Sequence, residues 1–168
     1  MLALLAEDGA SLLTEGDDEI MAGQALFDAV IGAVVTALEA ALPDVPIERG
    51  RRAPVDIEER PRVILLSGGA VPDETQSPFE TFWTFSFAVG GYVVAATDAA
   101  AEVALMELHA LVIGALSGVE IGGATIEATS GPASFDLYGA DGSAPAAGDF
   151  NLGFTALAMA PTGQPFTA

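Results

Sequence analysis

The chain has 168 residues, of which 51% are hydrophobic, and its 24 acidic and five basic residues give a net charge of −19. A chain of this length fits one domain and can bury about 70% of its unfolded surface. The charge excludes nucleic-acid binding by phosphate neutralisation, because that mode needs a dense cationic face. Cysteine is absent, so disulfides and thiolate metal sites are excluded as well.

The first 22 residues predict an acidic N-terminal arm. Its short apolar start is followed by a run of carboxylates over residues 15–19, which stays solvated unless a neighbour orders it. The start has no positive region and turns acidic at Glu7, so we do not expect a secretory signal. No apolar run approaches the roughly 20 residues of a membrane-spanning helix, and we expect no membrane contact.

Residues 23–160 are predicted to form the folded domain, and residues 161–168 a flexible tail. Apolar residues within 23–42 recur at spacings of three and four, the period of a helix with one buried stripe, and Pro43 ends that helix. The stripe consists of Phe27, Val30, Ile31, Val34, Val35, Leu38 and Leu42. Residues 45–48 then predict a short edge strand.

All basic side chains of the chain lie between residues 49 and 62. They are Arg49, Arg51, Arg52, Arg60 and Arg62. Prolines within the segment disfavour a continuous helix or a central strand, which predicts a loop. Two interpretations stay open. The arginines can pair with the three carboxylates of the same segment, where surface ion pairs contribute only about 0–1 kcal/mol each, or they can contact acidic surface on a second copy or a partner.

The middle of the chain predicts two strands. Residues 63–66 predict a buried strand that ends in a turn at 67–69, and residues 70–78 predict a loop. Residues 79–95 give the longest strand signal, because apolar and polar side chains alternate along it. Its stripe is Phe79, Thr81, Trp83, Phe85, Phe87 and Val89, which we interpret as core rather than as a ligand wall. Gly90 and Gly91 predict a bulge or bend.

The rest of the chain predicts one helix and three strands. Thr97 or Asp98 can cap a helix that runs to about Ser117 and closes at Gly118. Its predicted buried face is Ala101, Ala104, Leu105, Leu108, Leu111, Val112 and Ala115. Residues 119–129, 133–138 and 150–158 predict strands, the last two joined by a long hairpin loop. Without β-α-β alternation, this order predicts an α+β fold, a mostly antiparallel sheet with two helices packed on one face.

We expect no catalytic, cofactor or metal site. His109 is the only histidine, and Glu102 on the same flank lies roughly two helical turns away, too far for a direct hydrogen bond. An exposed or interface histidine is the simpler interpretation. Asp136, Asp141 and Asp149 could gather a weak calcium ion around the last hairpin, although turn formation explains that loop more simply.

The order of these elements resembles the tail terminator, or tail-completion, proteins of long-tailed phages, prophages and gene-transfer agents. The resemblance covers about residues 24–158 and is carried by architecture, with no single diagnostic motif. Its parts are an amphipathic helix followed by D-V-P-I-E, the strand R-V-I-L-L, the aromatic strand F-W-T-F-S-F-A-V, the helix T-D-A-A-A-E-V-A-L-M-E-L-H-A-L-V and final strands ending N-L-G-F-T-A-L.

The resemblance implies a structural virion protein of the tail end, assembled in the host cytoplasm. Such proteins close a hexameric ring on the end of the tail tube, stop tube polymerisation and offer a surface to the head-tail connector. The acidic majority would suit a lumen through which DNA slides without specific binding. The arginine segment would contact the neighbouring subunit or the tube protein. The alternatives are another neck or minor tail component, an acidic module that binds a basic partner, and a small transferase or hydrolase that uses His109.

Overall fold

The computed structural model describes residues 15–73, 80–121, 124–128, 134–138 and 145–161. As predicted, they form an α+β domain with two helices and a mostly antiparallel sheet of seven strands. The elements are α1 Glu15–Ala41, β1 Ile47–Arg49, a 3-10 turn Ile57–Glu59, β2 Arg62–Asp73, β3 Glu80–Ala95, α2 Asp98–Leu116, β4 Val119–Ile121, β5 Ala124–Ala128, β6 Ser134–Tyr138 and β7 Ala146–Pro161.

Two long central strands form the spine of the sheet. β3 and β7 have 16 residues each and pair antiparallel along their whole length. The strand order is β1-β2-β3-β7-β5-β4, and β6 pairs with the part of β7 that β5 leaves free. Only β1, which runs parallel to β2, departs from the antiparallel pattern among the described pairs.

Alternation along the strands gives the sheet one covered and one open face. The covered face carries large side chains that are almost completely buried under the helices: Val63, Leu65, Phe85, Phe87, Val89, Ile126, Phe150, Leu152 and Phe154. The residues between them point to the other side, which we call the open face, and no described helix packs there. The core is therefore a single layer between the sheet and the two helices.

The stripe predicted for α1 is confirmed as its buried side. Val30, Ile31, Val34 and Leu38 have no exposed surface, and the ring of Phe27 stacks on Phe85 at 5.2 Å between centroids. The helix begins at Glu15 rather than at residue 23, within the segment predicted as an arm. Residues 1–14 of that arm lie outside the described residues.

The predicted caps of α2 are also confirmed. The hydroxyl of Thr97 accepts a hydrogen bond from the N–H of Ala100 at 3.3 Å, and Gly118 closes the helix with φ +69. The buried face is Ala101, Leu105, Leu108, Val112 and Leu116. Leu111 was predicted to be buried, and this was wrong, because its side chain is 50% exposed.

The turn predicted at residues 67–69 is wrong, because β2 does not end there. It continues to Asp73 through a bulge between Ser67 and Ala70. Ser86 on β3 holds the bulge, since its hydroxyl accepts from the N–H of Gly69 at 2.9 Å and donates to its carbonyl at 3.2 Å. The predicted loop over residues 70–78 is therefore wrong for residues 70–73, and residues 74–79 lie outside the described part of the chain.

The bulge predicted at Gly90 and Gly91 is absent, because the β3–β7 ladder keeps its register through both residues. Gly91 serves close packing instead. A Cβ atom at this position would lie 2.4 Å from two ring carbons of Phe150, its cross-strand partner. The missing side chain leaves room for the Phe150 ring under Leu108 of α2.

The last strands follow the prediction in kind but not in extent. The strand predicted over residues 119–129 is two short antiparallel strands, β4 and β5. β6 lies where predicted, whereas β7 begins at Ala146, within the predicted hairpin loop, and ends at Pro161. Residues 139–144 and 162–168 lie outside the described residues.

Candidate functional site

The segment of residues 49–62, here called the arginine loop, lies over one end of the open face. Val55 anchors it, with only 5% of its side chain exposed. Between the loop and the sheet is an open groove of about 740 Å³. The groove is lined by the first half of the loop and by Ile64, Leu66, Gly90, Tyr92, Asp149 and Asn151.

Arg51 is the centre of the loop. Its guanidinium donates to both carboxylate oxygens of Glu59 at 3.0 and 2.6 Å, to Glu48 at 3.2 Å and to the carbonyl oxygen of Pro54 at 2.9 Å. The N–H of Asp56 donates to the same Glu59 carboxylate at 3.0 Å. The Arg51 hydrogen bond, followed by that of Asp56, lowers the pKa of Glu59 to about 2, and Glu59 raises the pKa of Arg51. These bonds tie both ends of the loop to its middle.

Arg49 and Arg62 pair with carboxylates outside the loop. Arg62 forms an ion pair with Glu48 of β1, and only 16% of the Arg62 side chain is exposed. Arg49 reaches Asp28 on α1, with both side chains more than 40% exposed. Because Arg49 faces the helices and Arg62 the open face, the pairs fasten the edge of the sheet on both sides.

Arg60 binds backbone rather than carboxylates. It donates to the carbonyl oxygens of Val93 at 3.4 Å, Gly148 at 3.3 Å and Val55 at 3.3 Å. Its guanidinium carbon also lies 5.5 Å from the centroid of the Tyr92 ring, a distance suited to a cation–π contact. Arg60 therefore pins the loop to the central strand pair β3–β7.

The outcome for the two interpretations of the arginines is mixed. Pairing within the segment holds for Arg51, and three further arginines have partners elsewhere in the subunit. Arg52 is exposed and makes no ion pair with any described residue. A contact of the five arginines with a second copy or a partner stays a prediction, and Arg52 is the residue best placed for it.

Asp136 and Asp149 lie directly opposite each other on β6 and β7. The hydroxyl of Tyr138 hydrogen-bonds to Asp149, which raises the pKa of that tyrosine. The calcium site considered from the sequence also needs Asp141, which lies outside the described residues. Within the described ranges no group of three or more His, Asp or Glu side chains could hold a metal ion.

His109 packs between two aromatic rings. Its imidazole lies 4.9 Å from the ring centroid of Phe135 on β6 and 5.3 Å from that of Phe150 on β7, edge to face in both cases. The side chain is half-buried, so it is a contact between α2 and the sheet as well as a surface residue. A catalytic role for His109 stays a hypothesis.

Two exposed apolar surfaces were not identified from the sequence. The first, here called the α2 surface, consists of Val103 and Met106 on α2 with Phe135 and Leu137 of β6, each between 42% and 61% exposed. Leu111, which is 50% exposed, lies on the other flank of α2, beside Leu42, Val45 and Pro61. The second, here called the sheet surface, consists of Leu66, Val71, Leu157 and Met159 on the open face, each between 36% and 65% exposed. The sequence did contain a signal for the α2 surface, because apolar residues occur on nearly every side of α2.

By length and composition alone, α2 is the one helix of the described residues that could cross a membrane. An 18-residue stretch of α2 has a mean hydropathy of 1.7, although Glu102 and Glu107 interrupt it as an apolar run. The expectation of no membrane contact stays a prediction. A helix packed in a protein core passes the same test. In the structure α2 packs through Leu105, Leu108 and Val112 on β3 and β7.

The hydrogen bonds of Arg51 give a first prediction. Arg51→Ala should loosen the arginine loop while the sheet and helices keep their structure, because Arg51 joins the loop to Glu48, Glu59 and Pro54. We expect faster proteolytic cleavage within residues 50–61 and an unchanged far-ultraviolet circular dichroism spectrum. Arg52→Ala is the matched control and should be cleaved like the wild type; equal protection of both variants would contradict this role.

The lowered pKa of Glu59 gives a second prediction. A carboxyl whose pKa is lower in the folded state stabilises the fold above its unfolded pKa, about 4.3, and loses that contribution as the pH falls towards 2. Wild type should therefore lose more stability between pH 5 and pH 2 (roughly the span of the two pKa values) than Glu59→Gln does. Urea unfolding at several pH values measures this difference, with Glu58→Gln as the control that should follow wild type.

Comparisons with known proteins carry no argument about the fold or the function of this chain. No family model and no curated protein matches the chain. Among the solved structures that match, one whose name describes no function is similar at a TM-score of 0.43 and 16% identity, covering 79% of this chain and 94% of the other. A likeness at this level carries no argument about function.

Proposed function

We propose that this protein is a structural virion protein that closes a ring on the end of a phage-type tail tube. The ring would end polymerisation of the tube protein and offer a surface to the head-tail connector. The observation that carries the proposal is that one subunit exposes two unlike apolar surfaces, one outside the helix layer and one on the open sheet face.

Two such surfaces fit head-to-tail assembly. Contiguous exposed apolar patches on a small domain are typical of protein interfaces. A two-fold dimer needs one surface that pairs with itself, whereas a ring needs two different surfaces that pair with each other around a rotation axis. The α2 surface and the sheet surface lie on different layers of the domain, so using one leaves the other free.

The fold and the charge support the same proposal. Two helices on one face of a mostly antiparallel sheet are what the resemblance to tail terminators implies. A net charge of −19 would keep DNA from adhering to a lumen formed by several copies. The hexameric ring and the tube and connector partners come from that resemblance and belong to the proposal.

One observation favours a second candidate, an acidic module that binds a basic partner protein. The α2 surface is exposed and apolar, and Glu102 and Glu107 are exposed beside it. Apolar surface bordered by carboxylates suits a cationic amphipathic segment. Under this alternative the protein would bind its partner as a monomer.

Labelling of intact particles with antibodies against this protein tests the proposed function. Electron microscopy should show the label at one end of each tail, the end joined to the head. Label on the capsid or along the whole tail, or particles without any label, would contradict a role in capping the tube.

A further inference from the structure

We infer that the α2 surface of one copy packs on the sheet surface of the next copy. This inference rests on the proposed ring and names the contact that would close it. Each copy would then continue the layering of its own core, because the α2 surface of one subunit would cover the sheet face that the neighbour leaves open.

The outer side of α2 is unusual for a helix that packs on a sheet. Such a helix normally carries charged and polar residues opposite its buried stripe. In an 18-residue stretch of α2 only 28% is buried, yet the mean hydropathy is 1.7. Val103 is 57% exposed and Met106 61% exposed. An apolar side of this kind is expected to be covered by another protein surface.

The sheet surface has a shape that can receive a helix. Val71, Thr84 and Leu157 lie side by side across β2, β3 and β7. Towards the arginine loop the same face carries only small side chains in its centre, Ala88 and Gly153. Three strands about 4.8 Å apart span a width close to the roughly 10 Å diameter of a helix. These small residues, with Leu66, Val71 and Leu157 near them on the same face, leave a shallow depression in which a helix can lie.

Charge complementarity selects a second copy in this orientation. The α2 surface is bordered by Glu102 and Glu107, whereas the sheet surface borders the groove that Arg52 helps to line. A helix seated on the open face can bring its carboxylates to Arg52, which makes no ion pair with any described residue of its own subunit. Glu120 and Glu127 also lie on the open face beside Leu157, so the carboxylates of the seated helix must lie towards Arg52. Pairing two α2 surfaces would offer those carboxylates no cation at all, because every basic residue lies between residues 49 and 62.

The net charge predicts how this contact responds to salt. Two copies of a chain with a net charge of −19 repel each other, and at 0.1 M salt this repulsion is screened beyond about 10 Å. Apolar packing acts at contact and is not weakened by that screening. Assembly should therefore become tighter as ionic strength rises from low to physiological values.

Two single-surface variants test the inference together. Met106→Glu disrupts the α2 surface and Leu157→Glu the sheet surface, and both positions are about half exposed or more, so the fold should survive. Ala29→Glu, at an exposed position of α1, is the matched control. Circular dichroism and thermal melting verify folding, and native mass spectrometry reads the assembly.

Each variant alone should be monomeric at 17.0 kDa, whereas Ala29→Glu should assemble like the wild type. An equimolar mixture of Met106→Glu and Leu157→Glu should give a dimer and nothing larger. In that dimer the intact α2 surface of one variant binds the intact sheet surface of the other, and the two disrupted surfaces stop further growth.

Three outcomes would overturn the inference. If both variants assemble like the wild type, the ring stands but uses another contact. If Met106→Glu fails to assemble while Leu157→Glu still assembles, α2 pairs with itself. If the two variants are monomeric and their mixture also stays monomeric, the surfaces do not pair with each other. A wild-type protein that never assembles contradicts the proposed ring itself, which separates that failure from the failure of this contact.

Discussion

Phe85→Ala is expected to lower the free energy of unfolding by about 3–5 kcal/mol, the usual cost of removing a buried aromatic ring. Phe85 has no exposed surface. Its ring stacks on that of Phe27 of α1, with 5.2 Å between the ring centroids, and its centroid lies 6.5 Å from that of the Trp83 ring. The cavity would therefore open where α1 meets the centre of the sheet. Urea unfolding of the two proteins measures the change.

Trp83→Ala provides the matched comparison. Trp83 lies on the same strand and face, but it is only partly buried at the end of the core. Its replacement should cost less than that of Phe85, although tryptophan is the larger residue. An equal or greater loss for Trp83→Ala would mean that the centre of the core is misplaced.

Gly91→Ala is expected to destabilise the protein by about 1–3 kcal/mol through overpacking. The added methyl group would lie 2.4 Å from the ring carbons of Phe150 and 3.1 Å from Leu108 of α2. Neither side chain has free space to move into, because both are at least 95% buried. Thermal melting or urea unfolding measures the loss.

Gly32→Ala is the control for Gly91→Ala. Gly32 lies inside α1, and a Cβ atom there would meet nothing within 4 Å. Alanine should therefore stabilise the helix by about 0.5–1 kcal/mol, the usual difference between the two residues in a helix. Opposite signs for the two variants support the packing described at Gly91; a neutral Gly91→Ala would contradict it.

The elements that were predicted well are those encoded by neighbouring residues. The stripe of α1 and the Thr97 and Gly118 caps of α2 depend on spacing and side-chain chemistry within a few residues of the chain. The alternation along β3 is equally local. Together these patterns were sufficient to predict the fold class.

Two of the wrong predictions concern glycines whose role depends on another strand. Ser67–Gly69 read as a turn, but the hydroxyl of Ser86 makes it a bulge within β2. Gly91 read as a bulge or bend, but the strand keeps its register there and the position is kept free for the ring of Phe150. Glycine permits all of these structures, and only contacts between distant residues select one.

The arginine loop shows the same limit at the candidate site. The sequence predicted the cluster, its loop and, as one of two interpretations, local pairing such as that of Arg51 with Glu59. It did not predict the bond of Arg49 to α1 or those of Arg60 to β3 and β7, since these partners are distant in the chain. Most of the segregated positive charge thus holds the loop on its own sheet.

The central claim, that this protein assembles into a closed ring, is tested most directly by native mass spectrometry of the purified wild-type chain over a range of concentration and ionic strength. We predict one dominant species whose mass is a whole multiple of 17.0 kDa and larger than a dimer, with a hexamer expected, favoured as ionic strength rises. A single species at 17.0 kDa under every condition would contradict the ring.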